Sequence, residues 1–122
     1  MEKILVLDTS AIIRSNHDYS FGSFVMPDSV YGEILDENAL VAVDAAIRHG
    51  DIKVLVPSPD SRDKVRKAAE KTGDIDVLSR QDIDVLALGL EVKGVVASDD
   101  YAIQNTAGHL GLKTEGTFVK KI

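Results

Sequence analysis

KILVLDTSA, residues 3–11, decides the fold because four apolar residues run directly into a carboxylate and two hydroxyl side chains. A short apolar run of this kind is typical of a strand buried on both faces of a parallel sheet. Thr9 and Ser10 are good N-cap residues, so a short helix is expected over 10–15. Asp8 is therefore predicted at the C-terminal end of a central strand, the edge of an α/β sheet where ligands bind. The alternative is that Asp8 is a loop or helix-capping carboxylate.

The composition indicates a single globular domain, residues 1–122. The chain is 44% hydrophobic and 28% charged, and no apolar run approaches the roughly 20 residues of a membrane span. It has no cysteine, so disulfides and thiolate metal sites are excluded. No secretory signal is visible, and a cytoplasmic protein is expected. The net charge of −6 argues against nucleic-acid binding through bulk charge alone, but it leaves room for a local basic patch.

Strands and helices alternate along the rest of the chain. The strands predicted after the first span 24–26, 52–56, 95–97 and an edge segment at 117–122. The first predicted helix after that over 10–15 begins at 28 or 29 and continues through Glu33 to Leu35. Four more helices are predicted over 38–49, 60–72, 79–90 and 101–110. Gly94 is expected to stop the helix that begins at Ser79. This order predicts a three-layer α/β/α fold with a central, mostly parallel sheet.

Two helices carry charges that allow two interpretations. Ser79-Arg80-Gln81-Asp82 matches a capping box, so Asp82 is either a cap partner or a site residue; both roles compete for the same oxygens. The helix that it opens is apolar on most sides and is expected to be buried, with Asp84 directed away from the site. The helix over 60–72 carries the densest basic cluster, for which a solvated surface is favoured over a nucleic-acid patch. That cluster consists of Arg62, Lys64, Arg66, Lys67 and Lys71.

Acidic residues recur where strands end and helices begin. These positions are Asp8, Glu33, Asp82 and the adjacent pair Asp99-Asp100. Because the C-terminal ends of parallel strands meet at one edge, the carboxylates are expected to converge there and repel one another. A divalent cation that prefers oxygen ligands, Mg²⁺ or Mn²⁺, would offset this repulsion. Such a site activates water and stabilises an attacked phosphodiester.

Four segments resemble PIN-domain ribonucleases, and most closely the archaeal Nob1-type PIN domain, the endonuclease that matures the 3′ end of small-subunit ribosomal RNA. These segments are ILVLDTSA at 4–11, VYGEI at 30–34, TGD at 72–74 followed by LSRQDIDVLAL at 78–88, and SDDYAIQN at 98–105. The resemblance implies a PIN-like α/β/α fold and a Mg²⁺- or Mn²⁺-dependent endoribonuclease. Its implied partner is single-stranded RNA, such as precursor ribosomal RNA or a pre-ribosomal subunit.

The same resemblance implies a set of site residues. Catalysis falls on Asp8, Glu33, Asp82 and either Asp100 or Asp99, and all of these except Glu33 would bind the metal. The family pattern of a hydroxyl residue, any residue and Asp selects Asp100, with Asp99 as a near equal. Adjacent side chains on an extended segment point apart, so only one of the pair is expected to face the metal. Ser10 and Ser98 are the residues implied to support the site by hydrogen bonding.

One departure leaves alternatives open. Nob1-type proteins usually carry a cysteine-built zinc ribbon after the PIN domain, so this cysteine-free chain is either an excised domain or a relative without the ribbon. A toxin-type PIN ribonuclease paired with an antitoxin and a catalytically silent PIN-fold interaction module remain alternatives. A receiver-like signalling domain is disfavoured because its adjacent acidic pair would come early, whereas here it comes late. No membrane association is expected, and a homodimer is left open.

Overall fold

The central feature of the computed structural model, which describes residues 3–14 and 18–116, is a parallel sheet. Its strands in the described residues are β1 (Ile4–Leu7), β2 (Ser23–Pro27), β3 (Ile52–Leu55), β4 (Val95–Ala97) and β5 (Thr114–Glu115). Their order is β3-β2-β1-β4-β5, and every neighbouring pair is parallel. The first four strands and the parallel α/β sheet confirm the predicted fold class. The predicted edge strand at 117–122 lies outside the described residues, and the observed edge strand is β5.

Helices cover both faces of this sheet. They are α1 (Thr9–Arg14), α2 (Asp28–Tyr31), α3 (Glu37–His49), α4 (Pro59–Thr72), α5 (Arg80–Val92) and α6 (Tyr101–His109). Because parallel crossovers are right-handed, the strand order places α1 and α3 on one face and α4 to α6 on the other. The expectation that α5 is buried is confirmed, since all its residues from Ile83 to Gly89 are buried. In the part of the chain that the structure describes, no helix is long and apolar enough to cross a membrane.

The helix predicted to continue through Glu33 is shorter than expected. α2 ends at Tyr31, and residues 32–34 form a turn in which Glu33 N donates to Val30 O (3.0 Å) and Ile34 N to Tyr31 O (3.2 Å). Glycine is a poor helix former, so Gly32 ends the helix after about one turn. The prediction that Glu33, Ile34 and Leu35 are helical was therefore wrong.

Gly94 has a different role from the predicted helix stop. α5 ends one residue earlier, with Lys93 as its C-cap in the left-handed region (φ 52°). A Cβ on Gly94 would lie only 2.9 Å from the backbone oxygen of Ile4 and 3.3 Å from a methyl group of Val6. Glycine is therefore required here so that the chain can enter β4 in close contact with β1.

Candidate active site

The centre of the sheet contains a point where the chain changes direction. From β1 the chain passes through α1 to β2 on one side, whereas from β4 it passes through α6 to β5 on the other. β1 and β4 are neighbours in the sheet, with Leu7 opposite Ala97. A crevice opens outside the strand ends at such a switch point, and ligands bind there in open α/β sheets. Asp8 follows β1 and Ser98 follows β4, so both lie at this crevice.

Asp8 is buried at the start of α1, with only 4% of its surface exposed. Its Oδ1 accepts hydrogen bonds from Ala11 N (2.7 Å) and from the Ser10 hydroxyl (2.8 Å). The helix begins at Thr9 and is capped by Asp8, which was one of the two interpretations of this carboxylate; Thr9 and Ser10, the predicted caps, lie inside the helix. A carboxylate is favoured there by both the free backbone N–H groups and the positive end of the helix dipole.

Asp82 and Asp100 occupy equivalent places at the starts of α5 and α6. The predicted capping box is confirmed: Asp82 Oδ2 accepts from Ser79 N (2.9 Å), and Asp82 N donates to the Ser79 hydroxyl (3.1 Å). Asp100 is the N-cap of α6, and its Oδ1 accepts from Ile103 N (3.1 Å). Three helix N-termini therefore each hold a carboxylate by one oxygen. The second oxygen of Asp8, Asp82 and Asp100 accepts no hydrogen bond from residues 3–14 and 18–116.

The pKa of Asp82 responds to the other two carboxylates. Burial is the largest influence and raises the pKa, the Ser79 backbone and hydroxyl groups lower it, and repulsion from Asp100 and Asp8 raises it further. The net effect is a pKa above the ordinary value for aspartate. Asp8, Asp82 and Asp100 thus form one electrostatic group, which we call the acidic edge.

The adjacent carboxylate, Asp99, is directed elsewhere. Its Oδ1 lies 3.0 Å from the position that a Cβ on Gly116 would occupy, next to the end of β5. Ser98 is fully buried, and its hydroxyl accepts a hydrogen bond from Asp100 N (3.0 Å). This contact orients the first turn of α6, from which Asp100 raises the pKa of Asp82.

Glu33 joins the acidic edge through a contact that the sequence did not indicate. The Thr9 hydroxyl donates to Glu33 Oε1 (2.7 Å), which holds the exposed Glu33 side chain beside the residue that follows Asp8. The two residues are 24 positions apart, on the first turn of α1 and in the turn after α2. No local sequence pattern relates residues at that separation, so the sequence indicates only a capping role for Thr9.

The donor chemistry of the acidic edge fits a hard divalent cation. Its side chains offer only oxygen ligands, and their mutual repulsion would be relieved by a positive ion. In the described ranges, however, no group of three or more His, Asp or Glu side chains is arranged to hold a metal ion directly. Mg²⁺ keeps several water ligands and is usually held by one or two carboxylates, so these side chains would need to supply only a few direct bonds. The predicted cluster is not preformed, and the individual ligand roles stay predictions.

Asp84 belongs to a separate network behind the acidic edge. It is fully buried; Arg62 Nε donates to its Oδ1 (2.7 Å) and the Ser29 hydroxyl donates to its Oδ2 (2.7 Å). The hydrogen bond from Arg62 to Asp84 is the main reason why the pKa of Arg62 is raised. The prediction that Arg62 belongs to a solvated basic helix face was therefore wrong. The available signal was a carboxylate inside an apolar helix, since a buried charge requires a partner.

Comparison with known proteins identifies the family. The model of the PIN domain of ribonuclease matches residues 5–92. The chain is 40% identical over 109 residues to Endoribonuclease Nob1 of Pyrococcus abyssi, covering 89% of this chain and 65% of that protein. It is 39% identical over 119 residues to Ribonuclease VapC1 of Thermoplasma acidophilum, covering 98% of this chain and 60% of that protein. The chain thus spans less than two thirds of the length of these two relatives.

A solved structure supports the fold independently of sequence. The crystal structure of VapBC2 from Rickettsia felis, bound to a DNA fragment from its promoter, superposes with a TM-score of 0.64 at 12% identity. The superposition covers 93% of this chain and 98% of that one, so the likeness includes nearly all of the sheet and its helices. Family match, relatives and fold agree, and the chain belongs to the PIN domain family of ribonucleases.

Proposed function

We propose that this chain is an endoribonuclease that hydrolyses RNA phosphodiester bonds with Mg²⁺ or Mn²⁺ at the acidic edge. The observation that carries the proposal is the group of three carboxylates, each anchored through one oxygen at a different helix N-terminus beside the switch point. Membership of a ribonuclease family supports the reaction class. The anchoring leaves one oxygen of each carboxylate for a ligand.

In this proposal Asp8, Asp82 and Asp100 would hold the cation. A bound divalent ion lowers the pKa of water and stabilises negative charge on an attacked phosphate. The contribution of the chain itself is positioning: backbone N–H groups at three helix starts hold the carboxylates in place. Ser10 and Ser98 fix two of these helix starts. Glu33, held by Thr9, would bind the metal through water or orient the attacking water.

Cleavage of a labelled single-stranded RNA with Mn²⁺ or Mg²⁺ tests the activity. We expect Asp8→Asn to lose at least about a hundredfold in rate, since a metal site supplies several kcal/mol to the transition state. Asp51→Asn is the matched control, because Asp51 lies just before β3, at the opposite edge of the sheet. Cleavage that continues unchanged in excess chelator would refute the metal dependence.

The adjacent aspartates provide a second test of the site. Asp100→Asn should reduce cleavage much more than Asp99→Asn, because Asp100 acts on Asp82 while Asp99 lies against Gly116. Equal losses in both variants would place the metal between β4 and β5 instead. A greater loss in Asp99→Asn would reverse the assignment.

Metal binding can be measured without any substrate. Mn²⁺ at a hundredfold excess over its Kd should stabilise the folded protein by about 2.7 kcal/mol, which appears as a higher melting temperature. Asp8→Asn should lose most of this increment, whereas Asp51→Asn should keep it. If Mn²⁺ stabilises all three proteins equally, Asp8 is not a ligand.

For the substrate we propose precursor RNA of the small ribosomal subunit, cut near its mature 3′ end. The support is the extended similarity to the Nob1-type segments and the 40% identity to Endoribonuclease Nob1. An RNA spanning that junction should be cut at a discrete position and a shuffled RNA of equal composition should not. Equal cutting of both would remove the substrate assignment while leaving the chemistry intact.

A toxin-type PIN ribonuclease is the second candidate, favoured by the 39% identity to Ribonuclease VapC1 over nearly the whole chain. Such an enzyme would be inhibited by a small protein encoded beside it. Adding the product of a neighbouring small gene to the cleavage assay separates the candidates, because stoichiometric inhibition favours the toxin type. Cytoplasmic location and a homodimer remain predictions for either candidate.

A further inference from the structure

The structure divides the basic cluster of α4 into paired and unpaired side chains. Arg62 is bound to Asp84, and Arg66 Nη1 contacts Asp63 Oδ1 (3.2 Å). The other members of the cluster, Lys64, Lys67 and Lys71, are exposed and have no ion-pair partner among residues 3–14 and 18–116. Their spacing of three and four residues places them on one face of the helix.

These three lysines line a groove that continues into a second one. The first groove, of about 440 Å³, lies between the lysines, Leu90 and His109. The second, of about 690 Å³, also contains Leu90 and is lined by Lys93 and Lys113. We call these side chains, Lys64, Lys67, Lys71, His109, Lys93 and Lys113, the basic surface. Among the described residues that line the two grooves there is one carboxylate, Glu115 in the second groove, and it is paired with Lys3.

The basic surface and the acidic edge lie at opposite ends of the same helices. Asp82 is in the first turn of α5 and Leu90 in its last turn, and Asp100 precedes α6, whose last residue is His109. At 1.5 Å per residue the two ends are separated by about 12–14 Å along the helix axes. A stacked single strand of roughly four nucleotides spans that distance.

Helix dipoles explain only part of this charge. Lys71, His109 and Lys93 lie at helix C-terminal ends, where a positive charge is favoured by about 0.3–1 kcal/mol. Lys64 and Lys67 lie in the middle of α4, and Lys113 precedes β5. These three lysines gain nothing from a helix end, yet they lie next to the same grooves in a chain whose net charge is −6.

We propose that the basic surface binds the phosphate backbone of RNA, at the edge of the sheet opposite the acidic edge. The RNA is the substrate of the proposed ribonuclease, so this assignment rests on that function. Lysine ammonium groups bind phosphate as point charges. Lys64, Lys67 and Lys71 form a row along α4, so an RNA strand that crosses the grooves would pass each of them in turn. The acidic edge repels phosphate until a cation is bound, whereas the basic surface binds RNA with no cation present.

RNA affinity measured in a chelator tests this surface separately from catalysis. The probe is a labelled single-stranded RNA, titrated by fluorescence anisotropy between about 50 and 200 mM salt. The test variant is Lys64→Gln/Lys67→Gln. The control, Arg48→Gln/Lys53→Gln, removes the same charge from exposed side chains on α3 and β3 that do not line the grooves. Thermal melting verifies that both variants are folded.

Counterion release sets the size of the expected effect. Each lost phosphate contact on a single strand makes the slope of log K against log salt shallower by about 0.7, so two contacts remove about 1.4. At physiological salt this corresponds to an affinity about tenfold lower. The control should keep the slope of the unmodified protein.

Each outcome is decisive for the surface. Equal loss in test and control variants, an unchanged slope in the test variant, or no RNA binding in chelator by the unmodified protein would overturn the proposal. Failure of the proposed catalytic function is recognised differently, by RNA that binds with the expected slope but is not cut when Mn²⁺ is added.

Discussion

Replacing Arg62 by methionine should destabilise the fold much more than removing an exposed charge from the same helix. Arg62 Nε and the Ser29 hydroxyl donate to the two oxygens of Asp84, which is fully buried; the Arg62 side chain itself is 20% exposed. Removing Arg62 leaves a buried carboxylate without its charge partner, which costs about 3–5 kcal/mol. This is a large part of the 5–15 kcal/mol that holds a typical domain together.

The two single changes should be unequal. In Asp84→Leu the remaining Arg62 can turn its partly exposed guanidinium towards water, so a smaller loss of about 1–3 kcal/mol is expected. In Arg62→Met/Asp84→Leu no charge is buried, and the double variant should be more stable than Arg62→Met alone. The coupling energy between the two sites is therefore expected to be about 2–3 kcal/mol.

Urea unfolding followed by circular dichroism measures these free energies. Arg66→Met is a matched control on the same helix, because Arg66 and Asp63 form an exposed pair worth about 0–1 kcal/mol. The reasoning is refuted if Arg62→Met costs no more than Arg66→Met. It also fails if the cost of the double variant equals the sum of its two parts.

Four further predictions concern local features of the fold. Hydrogen bonds from Thr72 and Asn105 lower the pKa of Asp74, so the stabilisation is present at neutral pH and is lost as the pH falls through that lowered value. Asp74→Asn should lower the melting temperature near pH 7, and the difference from the unmodified protein should vanish in strong acid. Gly94→Ala should cost about 1–3 kcal/mol in urea unfolding, because its Cβ would press on the Ile4 backbone. Gly108→Ala, with nothing within 4 Å of the new methyl group inside α6, should instead stabilise by about 0.5–1 kcal/mol; a loss there would show that helix propensity does not govern this site. Ser79→Ala should cost about 1 kcal/mol by removing one half of the capping box, and an unchanged melting curve would contradict that role.

Several parts of the fold could be predicted because their causes are local in the chain. The four apolar residues before Asp8 form a central strand, and the Ser79–Asp82 box starts α5 as expected. Gly50 and Gly73 end α3 and α4 in the left-handed conformation that glycine readily adopts. The prediction that α2 continues to Leu35 was wrong because it relied on the helical spacing of apolar residues. In the structure the backbone leaves the helix at Gly32.

The site was predictable in its composition but not in its arrangement. Carboxylate and hydroxyl residues directly after a strand indicated Asp8 and the Asp99-Asp100 pair as candidates, because that pattern lies within ten residues each time. It could not decide between Asp99 and Asp100. In the structure the Ser98 hydroxyl binds Asp100 N and Asp99 lies beside Gly116, which favours Asp100, and the choice stays a prediction.

The sequence by itself therefore determined most of the strands and helices, several of their caps and the acidic candidates, since each depends on neighbours within a few positions. Only the tertiary structure decided that β1 lies beside β4, which brings Asp8 and Asp100 to one crevice with Asp82. It alone separated Arg62, bound to Asp84 across 22 positions, from the unpaired lysines of the same helix. The physical reason is that burial and charge pairing depend on packing between distant segments, and residue types alone do not specify which segments meet.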